Sequence, residues 1–479
     1  MSADIGTVEL FVDGDWRPGG AGRLDVVDPA TERAAGSVSL AAASDLDDAL
    51  AAAGRAFGAW AATPAHERGA VLIRAAEILR ERVPAIAQAL STEAGKLPAE
   101  ASGELARAAD TLQWNGEEAG RIQGHLIPGR ARGSERLSQP EPVGVVAAFA
   151  AWNFPAVLAS RKLGAALAAG CSVVFKAAEE TPRTAAEIVR AIADAGAPPG
   201  TVNLVFGDPP QVSEHLIDAP VVRAVTFTGS TAVGRRIAAL AARGPKRAVL
   251  ELGGHAPVIV CDDGDVELAV TATMAAKFGS AGQSCVAPSR WLVHAGRYDE
   301  FVERFAAAAS ALQVGAPGED GAQLGPVISA QRLEALRRLT GDAVERGAVA
   351  RCGGERVDRG GFFWAPTVLA DVPADALVMH EEPFGPIACM TAFDDLDEAI
   401  GQANDTDYAF AAYVFTDSMT ARARVISDVR ATNVGINQMA PSMPDAPLGG
   451  AQDSGFGYEG GRAGIHAFQQ FRLISQTTP

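Results

Sequence analysis

Apolar residues in the first third of the chain recur with the spacing of amphipathic helices. One such face steps by four and three residues through Leu46, Leu50, Ala53, Phe57 and Trp60. The same kind of spacing predicts further helices around 65–83, 85–94 and 98–119. We therefore expect the N-terminal third to be mostly helical.

A polar stretch at 124–142 interrupts this pattern, and its short extended pieces predict a protruding hairpin. Beyond it, short apolar runs alternate with helix-length segments. Strands are predicted at 143–149, 172–176, 202–206, 221–227, 248–252 and 256–260, with helices at 155–169, 181–195 and 230–242. This alternation is typical of a parallel sheet with crossover helices.

A second alternating series covers about 265–436. Its predicted strands lie at 290–294, 366–369, 387–393, 411–415 and 433–436, and the tail at 468–475 predicts one more strand. No low-complexity linker separates the two series. We therefore expect an α/β protein whose domains pack together.

Composition excludes several classes of protein. The 479 residues include 41 Lys and Arg against 58 Asp and Glu, which gives a formal net charge of −17. That charge is unsuited to a binder of nucleic acid or anionic membranes. The five cysteines form no Cys-x-x-Cys pair, so neither a disulfide framework nor a metal site is indicated. The first ten residues lack a basic segment followed by an apolar one, so we expect no signal peptide and a cytoplasmic protein.

Two glycine patterns are candidates for phosphate binding. The segment 455–460 matches Gly-x-Gly-x-x-Gly, but it follows no hydrophobic strand and opens no clear helix, so we predict a loop. The segment 227–234 follows a predicted strand and opens a helix. There, Gly229 permits close backbone approach, and the free amides beyond Ser230 would face an anion. The alternative is an ordinary serine-capped helix.

Three polar residues in apolar or small-residue surroundings are candidates for chemistry. Cys285 lies in a loop of small polar residues and is a candidate nucleophile. Glu251 ends an apolar strand, where burial raises a carboxyl pKa toward the range of a general base. Asn153 is an isolated amide that either satisfies a turn or donates to an oxyanion. Each has an ordinary structural explanation alone; together they indicate an active site.

Six motifs, in order over nearly the whole chain, resemble those of the aldehyde dehydrogenase superfamily. They are Trp152-Asn153-Phe154-Pro155, Lys176-Ala177-Ala178-Glu179, Phe227-Thr228-Gly229-Ser230, Glu251-Leu252-Gly253-Gly254, Gly282-Gln283-Ser284-Cys285 and Glu381-Glu382-Pro383-Phe384-Gly385-Pro386. The resemblance implies an aldehyde dehydrogenase-like α/β fold with two doubly wound parallel-sheet domains and a small β oligomerisation element. It places the NAD-binding domain at 1–123 and 143–252, the catalytic domain at 253–452, and the oligomerisation element of a homodimer or homotetramer at 124–142 and 465–479.

The resemblance also implies roles for individual residues, with NAD as the cofactor. Cys285 attacks the aldehyde, Asn153 holds the oxyanion, and Glu251 activates the water that hydrolyses the thioester. Lys162 and Glu459 match positions that relay the proton. Cofactor contacts are implied for Trp152, Lys176, Glu179, Gly229, Ser230, Glu382 and Phe384. The Glu179 carboxylate favours NAD over NADP, because it would repel a 2′-phosphate.

The substrate is indicated by Arg161, which resembles an arginine that succinate-semialdehyde dehydrogenases use for the substrate carboxylate. Succinate semialdehyde or a related semialdehyde is therefore the leading candidate. Gly279 stands where those enzymes commonly carry a second arginine, so a larger aliphatic or aromatic aldehyde stays open. Arg161 also has a structural alternative, as the partner of an acidic neighbour.

Two other functions are alternatives. A coenzyme-A-acylating dehydrogenase transfers the acyl group to a thiol, and Glu251 counts against it because that reaction needs no water-activating carboxylate. A catalytically silent structural protein could keep the fold, but the joint presence of Cys285, Glu251 and Asn153 counts against it.

Overall fold

The protein is described by a computed structural model covering residues 4–439 and 442–477. Its α-helices are α1 (Ala43–Ala62), α2 (Ala65–Ala94), α3 (Pro98–Ala119), α4 (Pro155–Ala169), α5 (Pro182–Asp194), α6 (Pro209–Asp218), α7 (Thr231–Arg243), α8 (Val266–Phe278), α9 (Ala295–Ser310), α10 (Ala330–Glu345), α11 (Leu396–Asn404), α12 (Met419–Asp428) and α13 (Gly461–His466). Its strands are β1 (Gly6–Val8), β2 (Leu10–Val12), β3 (Asp15–Arg17), β4 (Arg23–Asp28), β5 (Arg33–Ser39), β6 (His125–Pro128), β7 (Ser134–Pro142), β8 (Val145–Phe149), β9 (Ser172–Lys176), β10 (Val202–Val205), β11 (Val222–Thr228), β12 (Arg247–Glu251), β13 (Ala256–Val260), β14 (Pro288–His294), β15 (Val349–Cys352), β16 (Thr367–Ala370), β17 (Ile387–Phe393), β18 (Tyr408–Ala409), β19 (Ala411–Phe415), β20 (Asn433–Ile436), β21 (Ala451–Gln452), β22 (Gly455–Phe456) and β23 (Gln469–Thr477).

Eight strands form the first sheet, in the order β22-β12-β11-β8-β9-β10-β2-β3. The five strands from β12 to β10 in this order are parallel, and helices α4 to α7 connect them along the chain. The edge strands β2, β3 and β22 pair antiparallel. The strands β8 and β9 are buried on both faces, which explains why they read as continuous apolar runs in the sequence.

Seven strands form the second sheet, in the order β15-β16-β17-β14-β13-β19-β20. All neighbours are parallel except β15, which pairs antiparallel with β16. The predicted α/β class with two parallel sheets is therefore confirmed, and each predicted strand of the second series is present.

The third sheet, β23-β7-β6, is antiparallel, and β23 pairs with β7 along its whole length from Gln469 opposite Pro142 to Thr477 opposite Ser134. It contains the predicted hairpin and the predicted C-terminal strand. Large apolar side chains on it are exposed: Leu126 (68%), Leu473 (62%) and Phe471 (60%). The boundaries of the domains and the oligomerisation role of this sheet stay predictions.

The expectation of a mostly helical N-terminal third is wrong before residue 43, where five strands lie. These strands are three to seven residues long, too short to show a clear period. The helices predicted at 65–83 and 85–94 form one 30-residue helix, α2, that continues through Pro84. In the described ranges, no helix combines the length and the apolar character needed to cross a membrane.

The two large sheets meet end to end, and this arrangement places the functional residues. In the first sheet, the carboxyl ends of β8, β11 and β12 lead to Asn153, to Gly229 and to Glu251 itself. In the second sheet, Cys285 precedes the amino end of β14, and Phe384 precedes that of β17. The carboxyl ends of a parallel sheet are the usual place for ligand binding in α/β proteins.

The position of Glu251 depends on one glycine of the Gly-x-Gly-x-x-Gly segment. That segment is not wholly a loop, because Gly455 lies in β22 directly opposite Glu251. Gly455 has a φ of +112°, and a Cβ there would lie 1.9 Å from the carbonyl oxygen of Leu250. We expect Gly455→Ala to strain the backbone, separate β22 from β12 and lower the free energy of unfolding by about 2 kcal/mol or more. Denaturant-induced unfolding measures this.

Gly401→Ala is the control. Gly401 lies inside the helix α11, and a Cβ there would meet no atom within 4 Å. This variant should keep or raise the stability by about 0.5–1 kcal/mol, since alanine favours helix. A Gly455→Ala protein as stable as the wild type would contradict the assigned strand contact.

Candidate functional site

A cavity of about 390 Å³ lies where the two sheets meet. Seven of the residues predicted from the sequence line it: Trp152, Asn153, Gly229, Ser230, Cys285, Glu382 and Phe384. They come from four separate connecting segments, so the fold brings together residues that are as much as 232 positions apart in the chain (Trp152 to Phe384).

Cys285 is half-buried, whereas Cys171, Cys261 and Cys389 are buried. Burial raises the pKa of the Cys285 thiol, and the charges of Glu382 and Glu251 act in the same direction, whereas Arg161 lowers it. The resting group is therefore a thiol. The preceding loop is tightly turned, with positive φ at Ser280, Ala281 and Gly282, and it is strained as loops at active sites often are.

Asn153 is 7% exposed and lies on the far side of the Cys285 loop. Its Nδ2 donates to the carbonyl oxygen of Gln283 at 3.1 Å, and its Oδ1 has no partner among the described residues. A side-chain amide has two N–H donors. One hydrogen of Nδ2 therefore remains for a ligand atom near Cys285.

Glu251 is the least satisfied buried group of the site. It is 3% exposed, and neither carboxylate oxygen has a hydrogen-bond donor in the part of the chain that the structure describes. Burial raises the pKa of Glu251 well above its usual value, and the charge of Glu459 raises it further, against the opposing charges of Lys162 and Arg161. A raised pKa makes this carboxylate a stronger proton acceptor than an ordinary glutamate.

Lys162 and Glu459 form a buried ion pair behind Glu251. Lys162 Nζ also donates a hydrogen bond to Thr226 Oγ1 at 3.1 Å. Thr226 Oγ1 in turn donates a hydrogen bond to Glu459 Oε1 at 3.1 Å. The backbone of Glu459 is held in turn by two 2.7 Å hydrogen bonds with Leu448. These contacts join α4, β11 and the segment after β22 into one polar network.

Arg161, the residue before Lys162 on α4, is 4% exposed and yet forms no ion pair with the described residues. Its Nη2 donates to Ser442 Oγ at 2.7 Å, and its Nε has no partner there. Burial lowers the pKa of Arg161, and the charges of Glu459, Glu251 and Cys285 raise it. The expected structural alternative, pairing with an acidic neighbour, is not what the described residues provide.

Trp152, Phe384 and Glu382 form the wall of the cavity opposite α7. The rings of Trp152 and Phe384 meet edge to face, with centroids 5.6 Å apart, and Phe384 has a φ of +43°. Glu382 Oε1 accepts a hydrogen bond from the Gly254 N–H at 3.0 Å, and burial raises the pKa of Glu382 to about 7. A carboxyl group placed there suits paired hydroxyl groups of a ribose.

The turn at Gly229 and Ser230 brings the amino end of α7 close to the carboxyl end of β12. Gly229 N–H donates to the carbonyl oxygen of Glu251 at 3.1 Å, and a Cβ at 229 would lie 2.4 Å from the Phe227 ring. Ser230 caps the helix, with its Oγ 3.4 Å from Val233 N. The two interpretations of this segment are therefore compatible, because α7 is a serine-capped helix and its amino end also opens onto the cavity.

A further cavity of about 430 Å³ lies between α6 and α7. Its lining is mainly apolar, with Pro209, Val233 and Ile237 on its walls and Lys176 at its edge. Lys176 Nζ is 2.6 Å from Glu179 Oε2, and Glu179 Oε1 accepts from Gly207 N–H at 2.9 Å. A mainly apolar cavity beside an ion pair is suited to an adenine ring and its ribose.

The residues on either side of Cys285 line a third cavity, of about 360 Å³, which we call the substrate-side cavity. It is lined among others by Ser284, Val286, Phe154, Gly279, Tyr413 and Arg107. Tyr413, Arg107 and Ser442 were not predicted from the sequence. They belong to no motif, and only the packing of α3, β19 and the 442 segment brings them near α4 and Cys285.

The chain matches known proteins over almost its whole length. The profile described as Aldehyde dehydrogenase family matches residues 16–474. A putative 4-(hydroxymethyl)benzenesulfonate dehydrogenase from Comamonas testosteroni is 50% identical over 97% of this chain and 97% of that relative. The NADP(+) succinate-semialdehyde dehydrogenase of Escherichia coli strain K12 is 39% identical, again over 97% of each chain. A crystal structure of succinate-semialdehyde dehydrogenase from Burkholderia pseudomallei superposes with a TM-score of 0.97 at 38% identity, with 98% of each chain covered.

The resemblance inferred from the six motifs is therefore confirmed at the level of the family, and one relative at 39% identity is named as a succinate-semialdehyde dehydrogenase, the branch that Arg161 suggested. A match of this length and identity shows that the chain belongs to the aldehyde dehydrogenase family.

Proposed function

We propose that this protein oxidises an aldehyde with a distal anionic group, a carboxylate or a sulfonate, to the corresponding acid, with NAD as the cofactor. Family membership supplies the coarser part: an oxidoreductase that acts on aldehydes and uses a nicotinamide cofactor. The observation that carries the finer part is Arg161, a guanidinium buried without an ion-pair partner in the described ranges, whose charge acts on Cys285. A buried cation of this kind is costly unless a ligand pairs with it.

The names of two relatives fit this chemistry. One is named for a benzenesulfonate and the other for succinate semialdehyde, so both names describe a small molecule with an oxyanion away from the reacting carbon. Succinate semialdehyde is one candidate. The second candidate is an aromatic aldehyde with a sulfonate, favoured by the higher identity of the first relative and by Phe154 and Tyr413 in the substrate-side cavity.

The first chemical step belongs to Cys285 and Asn153. The Cys285 sulfur forms a bond to the aldehyde carbon while the thiol proton passes to water in the cavity, and the carbonyl π electrons move to the oxygen, which becomes an oxyanion. The free hydrogen of Asn153 Nδ2 and the Cys285 backbone N–H stabilise that oxyanion. When bound, the nicotinamide cofactor supplies the hydride acceptor. With that acceptor bound, the thiohemiacetal carbon would give up its hydride and the group on Cys285 would become a thioester.

Hydrolysis of the thioester belongs to Glu251. With no hydrogen-bond donor on either oxygen in the described ranges and a raised pKa, the Glu251 carboxylate takes a proton from the attacking water. Lys162 and Glu459 lie behind it and pass the proton on. Glu251 also disfavours the coenzyme-A-acylating alternative, and the assembled set of groups disfavours a silent structural protein. An assay for aldehyde-dependent NADH formation, with and without coenzyme A, separates all three.

The cofactor is assigned to two of the cavities. Trp152, Glu382 and Phe384 would hold the nicotinamide side, Gly229 and Ser230 the pyrophosphate, and Lys176 and Glu179 the adenosine ribose. The exposed apolar face around Leu126, Phe471 and Leu473 supports a homodimer or homotetramer. A cytoplasmic location stays a prediction.

Glu251→Gln should release a burst of roughly one NADH per active subunit and then stall, because hydride transfer precedes hydrolysis. The wild-type steady rate should fall as the pH drops through the raised pKa of Glu251, since protonation removes the base. Rapid-mixing absorbance measures both phases. Cys285→Ser is the control and should lose burst and steady rate while still binding NAD. Loss of the burst in Glu251→Gln would assign Glu251 to thiol activation instead.

The wild type should prefer NAD to NADP by about tenfold or more in kcat/KM, since the Glu179 carboxylate repels a 2′-phosphate. Glu179→Ser should reduce that preference. Glu77→Ser, which removes the same charge from a surface ion pair on α2, should leave it unchanged. Equal kcat/KM for both cofactors in the wild type would refute the assignment.

Arg161→Ala should reduce the ratio of kcat/KM for succinate semialdehyde to that for butanal by about tenfold or more, because a charge-assisted contact is lost. The ratio is taken within one variant, so general damage to the fold cancels. Arg161→Lys should retain part of the ratio, since it keeps the charge but not the bidentate geometry. An equal loss for both aldehydes would mean that Arg161 is structural.

A further inference from the structure

Arg107, on helix α3, lines the substrate-side cavity together with Phe154, Gly279 and Tyr413. Its guanidinium lies beside the helix turn below it, since a Cβ at Gly103 would be 3.6 Å from Arg107 Nη1. Its backbone carbonyl accepts a hydrogen bond from Thr111, but its side chain makes no hydrogen bond or ion pair with the residues that the structure describes. Arg107 is exposed, unlike the buried Arg161, and neither arginine has a carboxylate partner in those ranges.

The carboxylate in the same cavity, Glu100, is already engaged. Its Oε1 accepts from the Ser280 N–H at 2.7 Å, and its Oε2 accepts from the Leu97 N–H at 2.9 Å. Glu100 thus fixes the start of α3 to the turn before Cys285. It leaves the Arg107 guanidinium free to bind a ligand.

Gly279 faces the same space from the carboxyl end of α8. A Cβ at this position would have only Glu100 Oε1 within 4 Å, at 3.9 Å, so the position is open. The cavity therefore has room at Gly279, and Phe154 and Tyr413 are among its lining residues. These features suit a flat ring better than a flexible chain.

The two arginines differ in exposure and lie on different helices. Arg161 is 4% exposed on α4, whereas Arg107 is exposed on α3 and lines the cavity beside Ser284 and Val286. Arg107 therefore lies nearer the solvent than Arg161.

We propose that Arg107 is a specificity-determining residue that binds the distal sulfonate or carboxylate of a para-substituted aromatic aldehyde, with the ring in the space that Gly279 leaves open. The inference rests on the proposed oxidation of anionic aldehydes and names the substrate class within it. An anion at the para position of a ring lies farther from the aldehyde than the carboxylate of a four-carbon semialdehyde. Arg107 thus selects substrates by the distance between the aldehyde and the anion, and Arg161 selects substrates that carry an anion.

The test compares 4-formylbenzenesulfonate with its uncharged isostere, 4-formylbenzenesulfonamide, in the full-length enzyme. Arg107→Ala should lower the ratio of their kcat/KM values by about five- to tenfold, mainly through KM, because one charge-assisted contact is lost. In the same variant, kcat/KM for succinate semialdehyde should change by less than about twofold, because this shorter substrate does not touch Arg107. Arg74→Ala, which removes an exposed arginine paired with Glu77 on α2, should leave the ratio unchanged.

A second variant tests whether the cation itself matters. Gly279→Arg, added to Arg107→Ala, returns a guanidinium from the opposite wall and should restore part of the ratio. An unchanged ratio in Arg107→Ala, or an equal loss for the sulfonate and the sulfonamide, would overturn the inference. If Arg161→Ala removes the preference for anionic aldehydes and Arg107→Ala does not, the proposed function stands and only the role of Arg107 fails. A wild type without any preference for anions overturns both.

Discussion

The buried carboxylate of Glu251 is the constraint on which the site depends. A carboxylate with 3% exposure and no hydrogen-bond donor in the described ranges destabilises a fold unless its environment makes use of it. Here the strand β12 holds it in place, with β11 on one side and Gly455 of β22 on the other. The burial that makes this carboxylate costly also raises its pKa and so makes it a stronger proton acceptor.

The two consecutive cations on α4, Lys162 and Arg161, have different surroundings. Lys162 is paired with Glu459, and its charge acts on Glu251 from behind. Arg161 is equally buried but has no such partner among the described residues, and it acts on Cys285. Adjacent positions on a helix point in different directions. Under the proposed function, Lys162 serves the proton path and Arg161 binds the substrate, although the charges of both act on Glu251.

Much of this arrangement could be predicted from the sequence, for identifiable physical reasons. The inner strands of both sheets are buried on both faces, so their apolar runs are visible without a structure. The five short N-terminal strands lack such a signal, and Pro84 suggested a break in α2 that tertiary packing overrides. Motifs located Cys285 and Glu251. The contacts of Arg161, by contrast, include a hydrogen bond to Ser442, which is 281 residues away, and no pattern in the sequence predicts it.

The most direct test of the account is the wild-type enzyme's choice between an aldehyde with a distal anion and an uncharged aldehyde of the same shape. With saturating NAD, kcat/KM for 4-formylbenzenesulfonate should exceed that for 4-formylbenzenesulfonamide by about tenfold or more. The excess should shrink as ionic strength rises, because salt screens the attraction to the arginines. Equal values for the two aldehydes, or a preference for the uncharged one, would contradict the claim that this site is built around an anionic substrate.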